Sequence, residues 1–179
     1  MLICLLVASA LAASAQAFPP PGIDEGYTGQ QWHVDFNGDG KLDYCRERGN
    51  RPHTFIGCLL QGSLKEVSSG AAPSFDLGYD SGGRGWVRLN SDKDVDFCRV
   101  VGDNAPGKQQ LACTLSQGNA FGATLYGVVS DWGYPDTRRW AQADEHGPVE
   151  FCRGVGDRTH PTTVCSTVTT NKNGGLDIK

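Results

Sequence analysis

Asp43-Tyr44-Cys45-Arg46, Asp96-Phe97-Cys98-Arg99 and Glu150-Phe151-Cys152-Arg153 are one string written three times. Their cysteines stand 53 and 54 residues apart, and Trp32, Trp86 and Trp140 stand 54 and 54 apart. A second cysteine follows the first by 13, 15 and 13 residues, at Cys58, Cys113 and Cys165. Between the two cysteines lies a turn pair, Gly49-Asn50, Gly102-Asp103 or Gly156-Asp157, and ahead of each tryptophan lies Gly26-Tyr27, Gly78-Tyr79 or Gly133-Tyr134. Self-similarity at a fixed period is the mark of a repeat architecture, in which each unit is one supersecondary element. The units are expected at about 18–71, 72–125 and 126–179, a single repeat domain.

Within a unit the apolar residues alternate with polar ones and turn residues interrupt them, which predicts short strands and no long helix. In the middle unit the strands are expected at 85–89, 95–101, 110–115 and 121–129. Alternation puts Phe97, Arg99 and Val101 on one face of the second strand and Cys98 and Val100 on the other. The fold class is therefore all-β, three four-stranded repeats of about 54 residues, as β-propeller-like blades or as the three lobes of a β-trefoil. Because every unit holds its own pair of cysteines, the repeat selects one disulfide pairing: Cys45 with Cys58, Cys98 with Cys113, and Cys152 with Cys165. Metal-binding cysteines would want a C-x₂₋₄-C spacing, which is absent.

Outside the repeats, residues 1–17 read as a secretory signal peptide. Leu2 to Ala13 is uncharged and mostly apolar, and Ala13-Ser14-Ala15 and Ala15-Gln16-Ala17 offer cleavage sites. The apolar stretch is too short to span a bilayer, and Phe18-Pro19-Pro20-Pro21 breaks any helix behind it. Cleavage there leaves 162 residues, three times 54, for export to an oxidising space. Cys4 leaves with the signal. With 16 Lys+Arg against 20 Asp+Glu and no basic run, nothing would track a phosphate backbone, so nucleic acid is excluded as a partner. No Asn-x-Ser/Thr sequon occurs.

One loop concentrates the chemistry. Asp35-Phe36-Asn37-Gly38-Asp39-Gly40-Lys41-Leu42-Asp43 places side-chain oxygens at positions 1, 3, 5 and 9, with Gly40 at the sharp turn. A hard cation needs several oxygens, and a tightly wrapped loop points alternate side chains inward, so Asp35, Asn37, Asp39, the Lys41 carbonyl and Asp43 are the expected Ca²⁺ ligands. Position 12 is Arg46 and the flanks are strand-like, which rules out an EF-hand. The bland reading of the same loop is an ion-free β-turn. In the second unit the loop reads Arg88, Asn90, Asp92, Asp94 and Asp96, a weak second site at best, in which Arg88 is expected to replace the ion's charge. The third reads Gln142, Asp144, His146, Pro148 and Glu150 and is not expected to bind.

The first loop, with Phe121-Gly122 and Val101-Gly102-Asp103-Asn104-Ala105-Pro106, resembles the FG-GAP (VCBS-type) repeat, also found in integrin α-subunit propellers. The resemblance runs over residues 26–179, strongest in the first unit and weakest in the third. It implies a four-stranded propeller blade whose first hairpin binds calcium, and a secreted, disulfide-bearing branch of that group. Three blades would close as a six-bladed ring in a homodimer, or leave an open arc. Gln30-x-Trp32, Arg84-x-Trp86 and Arg138-x-Trp140 also suggest the Q-x-W of ricin-type lectins.

No catalytic motif is present, and His33, His53, His146 and His160 share no repeat position. Arg46, Arg99 and Arg153, each beside an aromatic residue, could bind an anionic or sugar ligand or form structural cation–π contacts. Tyr79, Trp132 and Tyr134 in glycine-rich loops could stack on a sugar or lie in the core. The expectation is a secreted, extracellular, calcium-binding, lectin-like protein without catalysis, whose partner is a glycan or protein. The alternatives are an inhibitor or accessory subunit of a secreted hydrolase, and a metal-dependent hydrolase.

Overall fold

The computed structural model describes residues 18–70, 75–79, 82–103, 108–143 and 147–179; the expected signal peptide lies outside them. Twelve strands follow one another: β1 (Gln31–Val34), β2 (Asp43–Asn50), β3 (His53–Leu59), β4 (Glu66–Ser68), β5 (Gly85–Val87), β6 (Asp96–Gly102), β7 (Gln109–Ser116), β8 (Phe121–Gly127), β9 (Arg139–Gln142), β10 (Val149–Val155), β11 (Thr162–Thr170) and β12 (Leu176–Ile178). They form three four-stranded sheets, β1–β4, β5–β8 and β9–β12, each an antiparallel meander. β8 runs two residues past the expected boundary at 125. The β-trefoil alternative fails because a trefoil shares strands between its lobes, whereas every described strand pairs only within its own repeat. The sheets are blades, stacked and not closed into a ring.

All three disulfides join the second strand of a blade to the third, as the repeat predicted. Each pair sits directly opposite in the register, with Cα atoms 3.9 to 4.0 Å apart. Three disulfides in one small β domain mark an extracellular-type, oxidising compartment. Among the described residues no helix is long and apolar enough to cross a membrane.

A second tie recurs in every blade. Asp24, Asp76 and Asp131 each accept from the amide two residues on, at Gly26, Gly78 and Gly133, and so fold an Asp-x-Gly-Tyr turn. The tyrosine amides of Tyr27, Tyr79 and Tyr134 donate to Glu47, Val100 and Gly154 of the second strand. Their hydroxyls donate to the Gly49, Gly102 and Gly156 carbonyls of the turn beyond it. The turn glycines have φ of +75°, +69° and +57° and lie so close to the strand that a Cβ would drive into its carbonyls, so only glycine fits.

Two apolar cores hold the stack. Cys45, Cys58, Phe36 and Ile56 of the first blade pack with Phe97, Trp86 and Phe121 of the second. On the opposite face of the second blade, Cys98, Cys113, Val100 and Leu111 pack with Phe151, Trp140, Val149 and Val168 of the third. The alternation expected in β6 is what gives the middle blade these two faces. Arginines lock the interfaces. Arg84 donates to Leu77 and Gly78 carbonyls of its own turn and reaches back to Glu47 and Gln30 of the first blade, 2.8 Å each. Arg138 repeats this on Trp132 and Gly133 and reaches Gln109 of the second blade. The arginine of each Arg-x-Trp string is therefore an inter-blade clamp.

Buried carboxylates set the hairpins that connect the first two strands. Asp43 accepts from the amides of Phe36 and Gln61, and Asp96 from Leu89 and Ser116. Both residues are 0% exposed. Burial pushes the Asp96 carboxyl up to about 7, against the pull of the Ser116 and Leu89 amides.

Two predictions follow from these contacts. Arg84 and Glu47 have side chains 6% and 2% exposed, so Arg84→Ala leaves a buried carboxylate unpaired and should lower stability by about 3–5 kcal/mol in urea denaturation. The Glu47→Ala/Arg84→Ala pair should lose much less than the two single changes together, and additive losses would show that the pair is not coupled. For Asp96, the folded value lies above the ordinary 3.8, so its contribution is complete below about pH 4 and disappears as pH rises through about 7. Urea curves of wild type and Asp96→Asn should therefore diverge between pH 8 and pH 4; curves parallel over that range refute the shift.

Candidate functional site

The arginines singled out as ligand candidates turn inward, and the aromatic rings lie half-buried. Arg46, Arg99 and Arg153 are 1%, 1% and 4% exposed, which removes them as ligand-binding groups. Each donates its Nε to the carbonyl of the Asp24, Asp76 or Asp131 turn and lies against an aromatic ring. Burial holds the Arg99 guanidinium down to about 10. Tyr79 and Tyr134 are committed through their hydroxyls to the Gly102 and Gly156 carbonyls. Trp132 packs at the edge of the second core, 6.4 Å from Phe151 and under the Arg138 guanidinium. The three arginines and two tyrosines tie turns to strands within their own blades, and the rings of Tyr79, Trp132 and Tyr134 are half-buried.

The hairpin loops tell a different story. The β1–β2, β5–β6 and β9–β10 loops, far apart in sequence, converge on one cleft of about 1070 Å³, with Val168, Thr169 and Thr170 of β11 completing its wall. Asp144 and His146 of the third loop lie outside the described residues. The first positions of the three loops are linked in a row. The Gln142 side chain accepts from the Arg88 amide at 2.9 Å and donates to the Arg88 carbonyl at 3.2 Å. The Arg88 guanidinium in turn lies 3.7 Å from Asp35 Oδ2 and donates to the Lys93 carbonyl. Arg88 thus closes its own turn, as the sequence suggested, and also bridges to the first blade.

The first loop is folded by its own side chains. Asp35 accepts from Gly40, Asn37 from Asp39, and Asp39 from Lys41, which closes the loop as a series of tight side-chain-to-backbone turns. Asp35 Oδ1 is buried and without a hydrogen-bond partner, a vacant acceptor that suits a hard cation. Asn37, Asp39 and Lys41 belong to the same run of turns. Asp43 does not, since both of its oxygens are taken by backbone amides in the interior. In the second loop Asp96 is taken in the same way. Asn90 and Asp92 make the same turn bonds as Asn37 and Asp39 do in the first loop, but here the first position is a cation. That loop does not fit an ion. Burial and the nearby Asp92 and Asp35 charges push the Asp94 carboxyl up, which records how acidic this end of the stack is.

Several of these roles escaped the sequence reading. Gln142 was read only as a drifted first ligand, and Thr169 and Thr170 carried no signal because they come from the far strand of the third blade. The aspartates of the Asp-x-Gly-Tyr turns could have been found: Asp24, Asp76 and Asp131 precede each Gly-Tyr pair by the same two residues.

No family model matches the chain, and no solved structure matches it significantly. A stretch of 70 residues, 39% of the chain, is 30% identical to part of the NAD(+)--arginine ADP-ribosyltransferase Chelt of Vibrio cholerae. The chain spans 12% of the length of that relative. This match points toward an enzyme and corrects the expectation of a protein without catalysis.

Proposed function

We propose that the chain is an extracellular, calcium-supported binding module of a secreted enzyme, whose three-loop cleft takes a short glycan. The observation that carries this reading is the convergence of three repeat-equivalent loops on one cleft of about 1070 Å³, a size that suits a ligand larger than one sugar ring. Its wall offers amide, carboxylate and hydroxyl groups from Asn90, Asp92 and Thr170, which can alternate as donors and acceptors to vicinal sugar hydroxyls. Leu89, Val149 and Val168 beneath them give an apolar floor for the C–H face of a ring. The resemblance to FG-GAP (VCBS-type) repeats supports the calcium part of the reading. Asp35, Asn37, Asp39 and the Lys41 carbonyl would hold the ion, which would bring positive charge among the loop carboxylates and so stiffen the rim. The stretch shared with an ADP-ribosyltransferase supports the link to an enzyme; because it covers a small part of that protein, we assign the chain the role of an accessory module.

The test combines stability with binding. Melting of the oxidised protein should rise saturably with Ca²⁺, approaching a gain of about 2.7 kcal/mol at a hundred times the dissociation constant, and Asp39→Ala should abolish the gain. On a glycan array, wild type should bind a defined set of short glycans, and Asp92→Ala and Thr170→Val should weaken binding at least fivefold while leaving the melt unchanged. A melt indifferent to calcium removes the metal, and an empty array removes the glycan.

A further inference from the structure

Three cystines with one pairing rule would be expected to behave alike, but the stack gives them different surroundings. Each cystine lies on the face of its blade that looks toward the next. Cys45 and Cys58 are 0% exposed under the second blade, and Cys98 and Cys113 are 0% exposed under the third. The third blade has no blade after it among the described residues. Its outward face carries Arg139, Thr163, Cys165, Thr169 and Asp177, all exposed, with Cys152 just beneath at 2% exposure. Glu150 sits on this face too, with a carboxylate oxygen within 4.8 Å of both sulfurs. The corresponding Asp43 and Asp96 point at backbone amides instead.

We propose that Cys152–Cys165 is a thiol–disulfide exchange site and that Cys165 is the sulfur attacked. An external thiolate approaches the open face and bonds to the exposed Cys165 sulfur; the Cys152–Cys165 bond breaks, and its electron pair leaves with Cys152 as a thiolate. A second external thiolate then attacks the mixed disulfide at the external sulfur, releasing Cys165 as a thiolate and one molecule of external disulfide. Two electrons enter the protein and two external thiols are oxidised. Both sealed cystines require a blade to separate before any thiolate can reach them in line, so they exchange only through opening of the stack. Glu150 acts as a brake. Its negative charge opposes the incoming thiolate and raises the basicity of the leaving one, and exchange slows when the leaving thiol is more basic.

The experiment exposes the full oxidised protein to reduced glutathione for timed intervals at neutral pH, traps free thiols by alkylation, and maps them by peptide mass spectrometry. Alkylated Cys152 should appear first, with glutathione carried on Cys165, at least tenfold ahead of thiols from the other two pairs. Glu150→Gln should speed this first exchange several-fold and leave the slower two unchanged. Labelling of all six cysteines at one common rate, or first labelling at Cys45–Cys58 or Cys98–Cys113, overturns the proposal. An exchange rate indifferent to Glu150→Gln overturns the brake.

Discussion

A guanidinium removed from water must find its hydrogen bonds already in place, and this demand shapes every blade. Arg46, Arg99 and Arg153 are the largest polar groups in the interior, and each takes its Nε partner from the carbonyl of an Asp-x-Gly-Tyr turn. That carbonyl is presented only because the aspartate folds the turn and the glycine lets the chain lie against the strand. The turn is then held at its far end by the tyrosine hydroxyl on the next glycine carbonyl. Removing any one of these groups strands the others, because a buried donor without its acceptor is destabilised by the full loss of hydration. The ring beside each arginine completes the site by covering the cationic face.

The same logic operates between blades with a second set of arginines. Arg84 and Arg138 brace their own turns and extend to the preceding blade. No blade precedes the first unit among the described residues, and there the position is Gln30, whose side chain accepts from Arg84. Position-specific drift in the repeat therefore follows place in the stack. So do the outer faces: Arg48, Glu66 and Asp24 form an ion-pair network on the first blade, and threonines with Arg139 and Asp177 cover the third.

Most of the architecture was legible because it is repeated. Period-two alternation within a fixed 54-residue period gave the four strands per blade, the two faces of β6 and the three cystines. What escaped were contacts whose meaning depends on a neighbouring blade. Arg84 and Arg138, which open the Arg-x-Trp strings, looked like part of a lectin motif until Glu47 and Gln109 appeared beside them. Asp43 looked like a ninth-position ligand because a carboxylate after an Asp-Gly turn reads the same whether it faces an ion or two backbone amides. Periodicity cannot separate those cases, since burial is decided by what packs on top.

The convergence of the loops follows from the stacking itself. Blades built as meanders of equal length, laid face to face in the same orientation, must bring their equivalent hairpins to one end. Once there, the loops cannot all keep the same first residue, because three carboxylates in a row would repel one another. The chain reads instead Gln142, Arg88 and Asp35: a neutral amide that grips the backbone of the second loop, a cation, and a carboxylate that meets it. The loss of the acidic first position in two of the three repeats is therefore the condition under which the third can keep it, and under which three hairpins can share one cleft.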